Sequence, residues 1–265
     1  MSSSNPAFPL EIEEMIFSLC VQNDLRNSKN LILVAKRVYE WLKPQLYKVV
    51  ILHDDKSHFG RPKCNAELLK TNGRYVRHIL LWDVVSDDPR LHNSAACLSW
   101  CPNVVDVALW RAGTTCDENL IDRLLSLPLT HLSIDITWLD EEIMDHAISK
   151  PMWFTSITHL DLIGKVITLQ VEEIEDYFPS LTHIALAKSM GLPAKAILDC
   201  WGDQLEVLIW YFYDTSKVYD DPRVVVISEL RQYLHDWNEA ATDGPSSVWK
   251  RAEMEVNQRR QGVGM

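Results

Sequence analysis

The sequence predicts an α/β fold of repeated strand–helix units around one parallel sheet, and three observations carry that prediction. A segment of the form apolar, two residues, apolar, one residue, apolar returns six times: Val76–Leu81, Val104–Leu109, Leu129–Ile134, Ile157–Leu162, Leu181–Leu186 and Leu205–Trp210. Successive segments begin roughly 24 to 28 residues apart. Between them lie stretches with helical patterning, several opened by an acidic residue or closed by proline. The period and the L-x-x-L-x-L pattern together are the signature of a leucine-rich repeat. Such units stack into a curved solenoid, parallel strands on the concave face and helices on the convex face, with atypical units capping the ends.

Taken in order, Pro9–Leu19 places Ile12, Ile16 and Leu19 on one helical face, with acidic residues in the first turn where the helix dipole favours them. A polar break, Gln22–Asn30, leads to a second helix over Leu31–Leu42, closed by Pro44. Leu46–Ile51 fits a divergent first strand. Helices are then predicted between the repeated segments at Cys64–Thr71, Leu91–Trp100, Asp117–Leu127, Asp140–Ser149, Val171–Phe178 and Pro193–Trp201. Val224–Ile227 reads as a last strand and Glu229–Ala240 as a capping helix with Leu230, Tyr233, Leu234 and Trp237 on one face. Asp243–Ser247 is a hinge. The final helix, Trp249–Gln261, is polar, and two readings stand open for it: a solvated tail, or a lid that returns to the repeat surface on Trp249.

Composition excludes several classes of function. A formal net charge of -11 argues against a broad nucleic-acid-binding face, which needs clustered Lys and Arg. The N-terminus lacks the basic flank and apolar run of a secretory signal, and no stretch is long and apolar enough to span a bilayer. Cytosol or nucleus is the expected compartment. The six cysteines, Cys20, Cys64, Cys97, Cys101, Cys116 and Cys200, are scattered among apolar neighbours and read as reduced core residues. There is no phosphate-binding glycine loop, nucleophile elbow or His-Glu-x-x-His helix, so no catalytic residue, cofactor or metal site is expected.

Strand alternation turns each repeated segment into two sets of side chains. The first, fourth and sixth positions are large and apolar, and the third, fifth and seventh point the other way, onto the face expected to be exposed. The third-position column is His78, Asp106, His131, His159, His183 and Val207. The fifth is Leu80, Ala108, Ser133, Asp161, Ala185 and Ile209, and the seventh is Trp82, Trp110, Asp135, Ile163, Ala187 and Tyr211. With strands about 4.8 Å apart, His131, His159 and His183 form a close row. Three readings of the row stay open: a tolerated residue duplicated with its repeat, a partner-recognition face, or a metal site, the last disfavoured because parallel side chains do not converge on a tetrahedral ion. An exposed tight row would resist full protonation by mutual repulsion.

Phe8-Pro9-Leu10-Glu11-Ile12, then Ile16-Phe17, Leu31 to Val34 and the phrase Lys36-Arg37-Val38-Tyr39-Glu40-Trp41-Leu42-Lys43-Pro44-Gln45-Leu46-Tyr47 resemble a divergent F-box. An F-box followed at once by leucine-rich repeats is the layout of F-box substrate receptors, and this chain is particularly similar to those expanded in mushroom-forming fungi. The likeness continues in Asp221–Val226 and Trp249–Glu253. The resemblance implies an F-box-like segment over residues 1–45, repeats over 46–227 and a C-terminal cap and tail over 228–265. It further implies a substrate receptor of an SCF-type cullin-RING ubiquitin ligase, with Pro9, Leu10, Ile12, Ile16, Leu33, Val34, Val38 and Trp41 facing a Skp1-type adaptor and, through it, a cullin. A protein substrate would then lie on the repeat face, against His78, Trp82, Asp106, Trp110, His131, His159, Asp161, His183 and Tyr211. The alternatives are a repeat scaffold without adaptor binding, since Val38 stands where F-boxes commonly carry tryptophan, and an enzyme or metal site built on the face's His and Asp residues.

Overall fold

The computed structural model describes residues 8–23, 28–52, 65–82, 93–110, 118–135, 154–163, 171–187, 194–211, 220–227, 233–244 and 247–262. Eight strands form one sheet in sequential order: β1 (Val49–Leu52), β2 (His78–Trp82), β3 (Asp106–Trp110), β4 (His131–Asp135), β5 (His159–Ile163), β6 (His183–Ala187), β7 (Val207–Tyr211) and β8 (Val224–Ile227). Every neighbouring pair is parallel. Parallel neighbours cannot be joined by a tight turn, so each connection must cross over the sheet. Helices supply several of these crossings: α4 (Ala66–Asn72), α5 (Ser94–Ser99), α6 (Glu118–Leu125), α7 (Val171–Tyr177) and α8 (Ala194–Trp201). The predicted helix Asp140–Ser149 lies outside the described residues, as do Cys64 and Cys116.

Helices α4 and α5 start later than the apolar pattern suggests because asparagine fixes their first turn. The Asn65 side chain accepts a hydrogen bond from the Leu68 amide at 2.8 Å, and Asn93 accepts one from Ala96 at 2.7 Å. Each cap satisfies an amide that the helix itself cannot pair.

The sheet buries both of its faces. On the helix-lined face, Ile79, Leu81, Val107, Leu109, Leu132, Ile134, Leu160, Leu162, Ile184, Leu186 and Leu208 pack against Leu69, Leu98, Leu124, Ile174, Phe178, Ile197 and Trp201 in the largest core. Each such buried Leu or Ile contributes about 1.5–3 kcal/mol. Cys97 and Cys101 are fully buried in that core. The predicted packing role of this pair therefore holds, whereas Cys20 is exposed.

At the N-terminal end stand α1 (Leu10–Asn23), α2 (Ser28–Leu31) and α3 (Lys36–Leu46), packed together through Val21, Val38, Leu42, Leu46 and Tyr47 and onto Leu68 and Tyr75 of the next unit. The helix expected over Leu31–Leu42 begins only at Lys36, and Leu31 is the last residue of the short α2. The chain turns at 31–35, with the Leu33 amide donating to Asn30 and the Val34 amide to Leu31. Pro44 does not close α3 but sits inside it. Proline removes one hydrogen bond there, yet Leu42 and Leu46 on either side of it are buried, and their burial keeps the last turn helical.

At the other end, α9 (Tyr233–Ala241) and α10 (Val248–Arg260) lie over the sheet face opposite the crossover helices. Trp237 and Ala241 of α9 pack with Val49, Leu80, Ala108, Trp110 and Ile163. Val248, Ala252 and Val256 of α10 pack with Ala185, Val207, Ile209, Tyr211 and Val225. Of the two readings of the final helix, the lid is the observed one.

Backbones approach closely at Gly73, where an added Cβ would stand 2.0 Å from the Trp100 carbonyl oxygen. Gly73→Ala should therefore lower stability by about 1–3 kcal/mol through forced displacement of that segment. A urea midpoint unchanged by the substitution would contradict the packing.

Candidate functional site

The residues predicted to face a partner fall into two groups, and the structure treats them differently. In the first group, the in-register pairing His78↔Asp106↔His131↔His159↔His183 assembles the predicted row, and Trp82 pairs with Trp110 in the same register. The expected exposure of this face is corrected. Asp106, Trp110, Asp161, His183 and Tyr211 are buried, and His78, Trp82, His131 and His159 are half-buried. The cause is the return of α9 and α10, which cover columns too apolar to face water.

Under this cover the imidazoles of His131, His159 and His183 form a stack, with centroids 4.1 Å apart at each step and planes within 21° and 10° of parallel. Each ring is oriented by the threonine preceding it. The hydroxyls of Thr130, Thr158 and Thr182 lie 2.9, 2.9 and 2.7 Å from the Nδ1 atoms of His131, His159 and His183. The same hydroxyls reach a backbone carbonyl of the preceding unit at 3.3 Å, tying ring orientation to strand pairing. The Nδ1 edges are thereby held by the sheet. From above, the Trp249 ring stands perpendicular to His159 and His183, at 5.1 and 5.9 Å between centroids.

Burial keeps these rings neutral. It pushes the His159 pKa down to about 2, with the neighbouring His131 and His183 adding to the effect, and that of His183 to about 4, with a further contribution from His131. His131 is lowered mainly by burial as well. Repulsion along the row, the cause expected from sequence, is secondary to loss of solvent.

Beside the stack lies a polar network. The Trp110 indole N–H donates to Ser133 Oγ at 2.8 Å, and the Ser133 hydroxyl donates to Asp161 Oδ2 at 2.8 Å. Asp106 meets His78 Nδ1 at 3.1 Å and accepts from the Trp237 indole at 3.4 Å. A partly open cavity of about 320 Å³ lies between this floor and a roof of Asp236, Trp237, Trp249, Lys250 and Glu253. Its carboxylates, Asp106, Asp161, Asp236, Asp243 and Glu253, outnumber its lysines, Lys48 and Lys250, so the space is acidic. Burial, then the nearby Glu206, raises the Glu253 pKa.

The second group lies on the N-terminal helices. Pro9, Leu10, Ile12, Ile16, Leu33 and Val34 are all exposed, Leu33 at 81%. Two members of the group are corrected as surface residues: Val38 is 1% exposed and belongs to the interior of the helical segment, and Trp41 is half-buried against it. Phe8, Met15 and Leu19, absent from the prediction, extend the surface. All exposed large hydrophobic residues among the described ones, except Met254, lie in this N-terminal segment.

No protein-family model, curated protein or solved structure gives a significant match to this chain. The site residues missed in sequence are the three threonines and, in the roof, Asp236, Lys250 and Glu253; Trp249 was the anchor of the lid reading and Trp237 lay on the predicted capping helix. A Thr-His dipeptide recurring at Thr130-His131, Thr158-His159 and Thr182-His183 was a readable signal for the first. The apolar fifth and seventh columns were a signal that some cover must exist, though not that it brings Glu253.

If α10 covers the sheet as described, Ala252→Asp places a charge at a 1% exposed position. The variant should lose about 3 kcal/mol or more of that docking. It should also bind a hydrophobic dye at the uncovered Val207, Ile209 and Tyr211 and exchange amide hydrogens faster over β6–β8. Unchanged exchange and dye binding would mean that α10 stands in solvent.

Proposed function

We propose that this chain is a non-catalytic protein-binding receptor, the substrate-recognition subunit of an SCF-type cullin-RING ubiquitin ligase. In this reading the strand–helix units are leucine-rich repeats forming a solenoid, α1–α3 are a divergent F-box that binds a Skp1-type adaptor, and the adaptor connects the chain to a cullin. One observation carries the proposal: Phe8, Leu10, Ile12, Met15, Ile16, Leu19, Leu33 and Val34 concentrate exposed apolar side chains in an N-terminal segment where no other described residue covers them. An exposed apolar patch of this kind marks an interaction surface. Five of the eight, Leu10, Ile12, Ile16, Leu33 and Val34, are positions that the F-box resemblance assigns to the adaptor.

Such a receptor needs no active site or cofactor. It accelerates ubiquitin transfer by holding a substrate lysine near the loaded enzyme. Because α9 and α10 lie over the sheet, a protein substrate would meet those helices and the half-buried Trp82 before it met the histidine row. Cytoplasm or nucleus is where the receptor would act.

The test is capture of a purified Skp1-type adaptor by the full chain. Micromolar or tighter binding is expected, with Ile16→Asp and Leu33→Asp each weakening it at least about tenfold, the loss of a central apolar anchor. Both side chains are exposed, so neither substitution should move the urea midpoint. No complex at micromolar concentrations, or a complex indifferent to both substitutions, rejects the reading.

A further inference from the structure

We propose that His159, His183 and Glu253 form a binding site for a divalent transition-metal ion of the zinc type, which fastens α10 to β5 and β6. The proposal is independent of the adaptor reading, since it concerns the opposite end of the chain.

The ligand atoms of these three residues all lie within 4.8 Å of one another. His183 Nε2 is buried and has no hydrogen-bond partner among the described residues, and its nearest charged group is Glu253 Oε1 at 3.4 Å. That separation is close to the edge of a tetrahedron around zinc, about 3.3 Å for ligand bonds of 2.0–2.1 Å. A buried nitrogen without a hydrogen bond, facing a carboxylate, is an incomplete arrangement that a cation completes.

The objection from sequence was that parallel histidines do not converge. It applies to a row considered alone, and the structure adds what the row lacks. Glu253 comes from α10, a different element, and faces the row across the cavity instead of along it. The two rings are within 10° of parallel, so an ion must draw their Nε2 atoms together by roughly an ångström through opposite tilts. The threonine hydroxyls permit the required tautomer. Each can accept Nδ1–H while giving its own proton to the preceding carbonyl, leaving Nε2 as a lone pair toward the ion.

Two imidazoles and one carboxylate select the ion class. Magnesium and calcium take oxygen ligands in sixfold or higher coordination, whereas zinc and its first-row neighbours suit this donor set with a fourth position open to the cavity.

The test uses the purified full chain after chelator treatment, titrated with zinc chloride by calorimetry and with cobalt(II) by absorbance. One equivalent should bind, cobalt should give tetrahedral ligand-field bands without thiolate charge transfer, and zinc should raise the thermal midpoint. Glu253→Gln changes a half-buried side chain with little risk to folding, and it should weaken zinc binding by at least about tenfold and abolish the thermal shift. His183→Asn checks the second ligand, with circular dichroism confirming a folded chain. No stoichiometric uptake by the folded parent at roughly 100 µM zinc overturns the proposal. So does uptake that Glu253→Gln leaves unchanged, which places the ion elsewhere, or a thiolate signature, which assigns it to cysteines.

Discussion

In-register parallel pairing of eight short strands is the constraint from which the rest of the molecule follows. Parallel neighbours require crossovers, and the crossovers place helices on one face of the sheet. A parallel sheet is also normally covered on its second face. Here that requirement is met by the C-terminal helices, through Trp237 and Ala241 in α9 and the stripe Val248, Ala252 and Val256 in α10. Register does the remaining work. Because His131, His159 and His183 are direct partners across β4, β5 and β6, a residue repeated in sequence becomes a stack in space.

The repeated segments could be read in sequence because their apolar positions alternate with strand period and their spacing is regular. All six correspond to strands, β2 to β7, in the predicted order. The second face was harder to read. A column holding His78, Asp106 and His159 looks solvent-facing if judged by its polar members alone. Its neighbours decide otherwise: Leu80, Ala108, Ala185 and Ile209 in the fifth column are each at most 1% exposed. The cover was obscured because α10 contacts the sheet through side chains at i, i+4 and i+8, one of them only an alanine. So narrow a stripe leaves the helix polar on average, and a polar terminal helix resembles a tail. The F-box-like helices erred differently. An apolar run over Leu31–Val34 suggests a continuing helix, but only Leu31 and Ile32 pack inward while Leu33 and Val34 point to solvent.

The covered face is a polar site set inside an apolar frame, and its organisation limits what it can do. Trp110, Ser133 and Asp161 form a chain of donors and acceptors, and Asp106 is held from both sides by His78 and Trp237. These groups are committed to one another, and they fix the floor of the cavity. The Nε2 edges toward Glu253 are different. The threonines use the Nδ1 edges, so the opposite edges of the stack are left to whatever α10 presents. Chemistry at this site therefore depends on the position of α10, which is held to the sheet by its apolar stripe, by Trp249 against the rings and by Arg259 donating to the Val224 carbonyl at 2.6 Å.

The two ends of the chain show the same physical problem solved in opposite ways. The apolar columns of the sheet are covered from within, by 13 residues of α10 and the 9 of α9. The apolar surface of α1 and the α2–α3 turn receives no such cover among the described residues, although fully burying each Leu, Ile or Phe there would contribute about 1.5–3 kcal/mol. Neither set of residues is needed for the core of the helical segment, which Val21, Val38, Leu42 and Leu46 build without them. These side chains are exposed along one N-terminal segment, and their burial is what the proposed adaptor would supply. That asymmetry is the ground of the proposed adaptor reading at α1–α3, and the histidine stack meets the chain's own C-terminal helix instead.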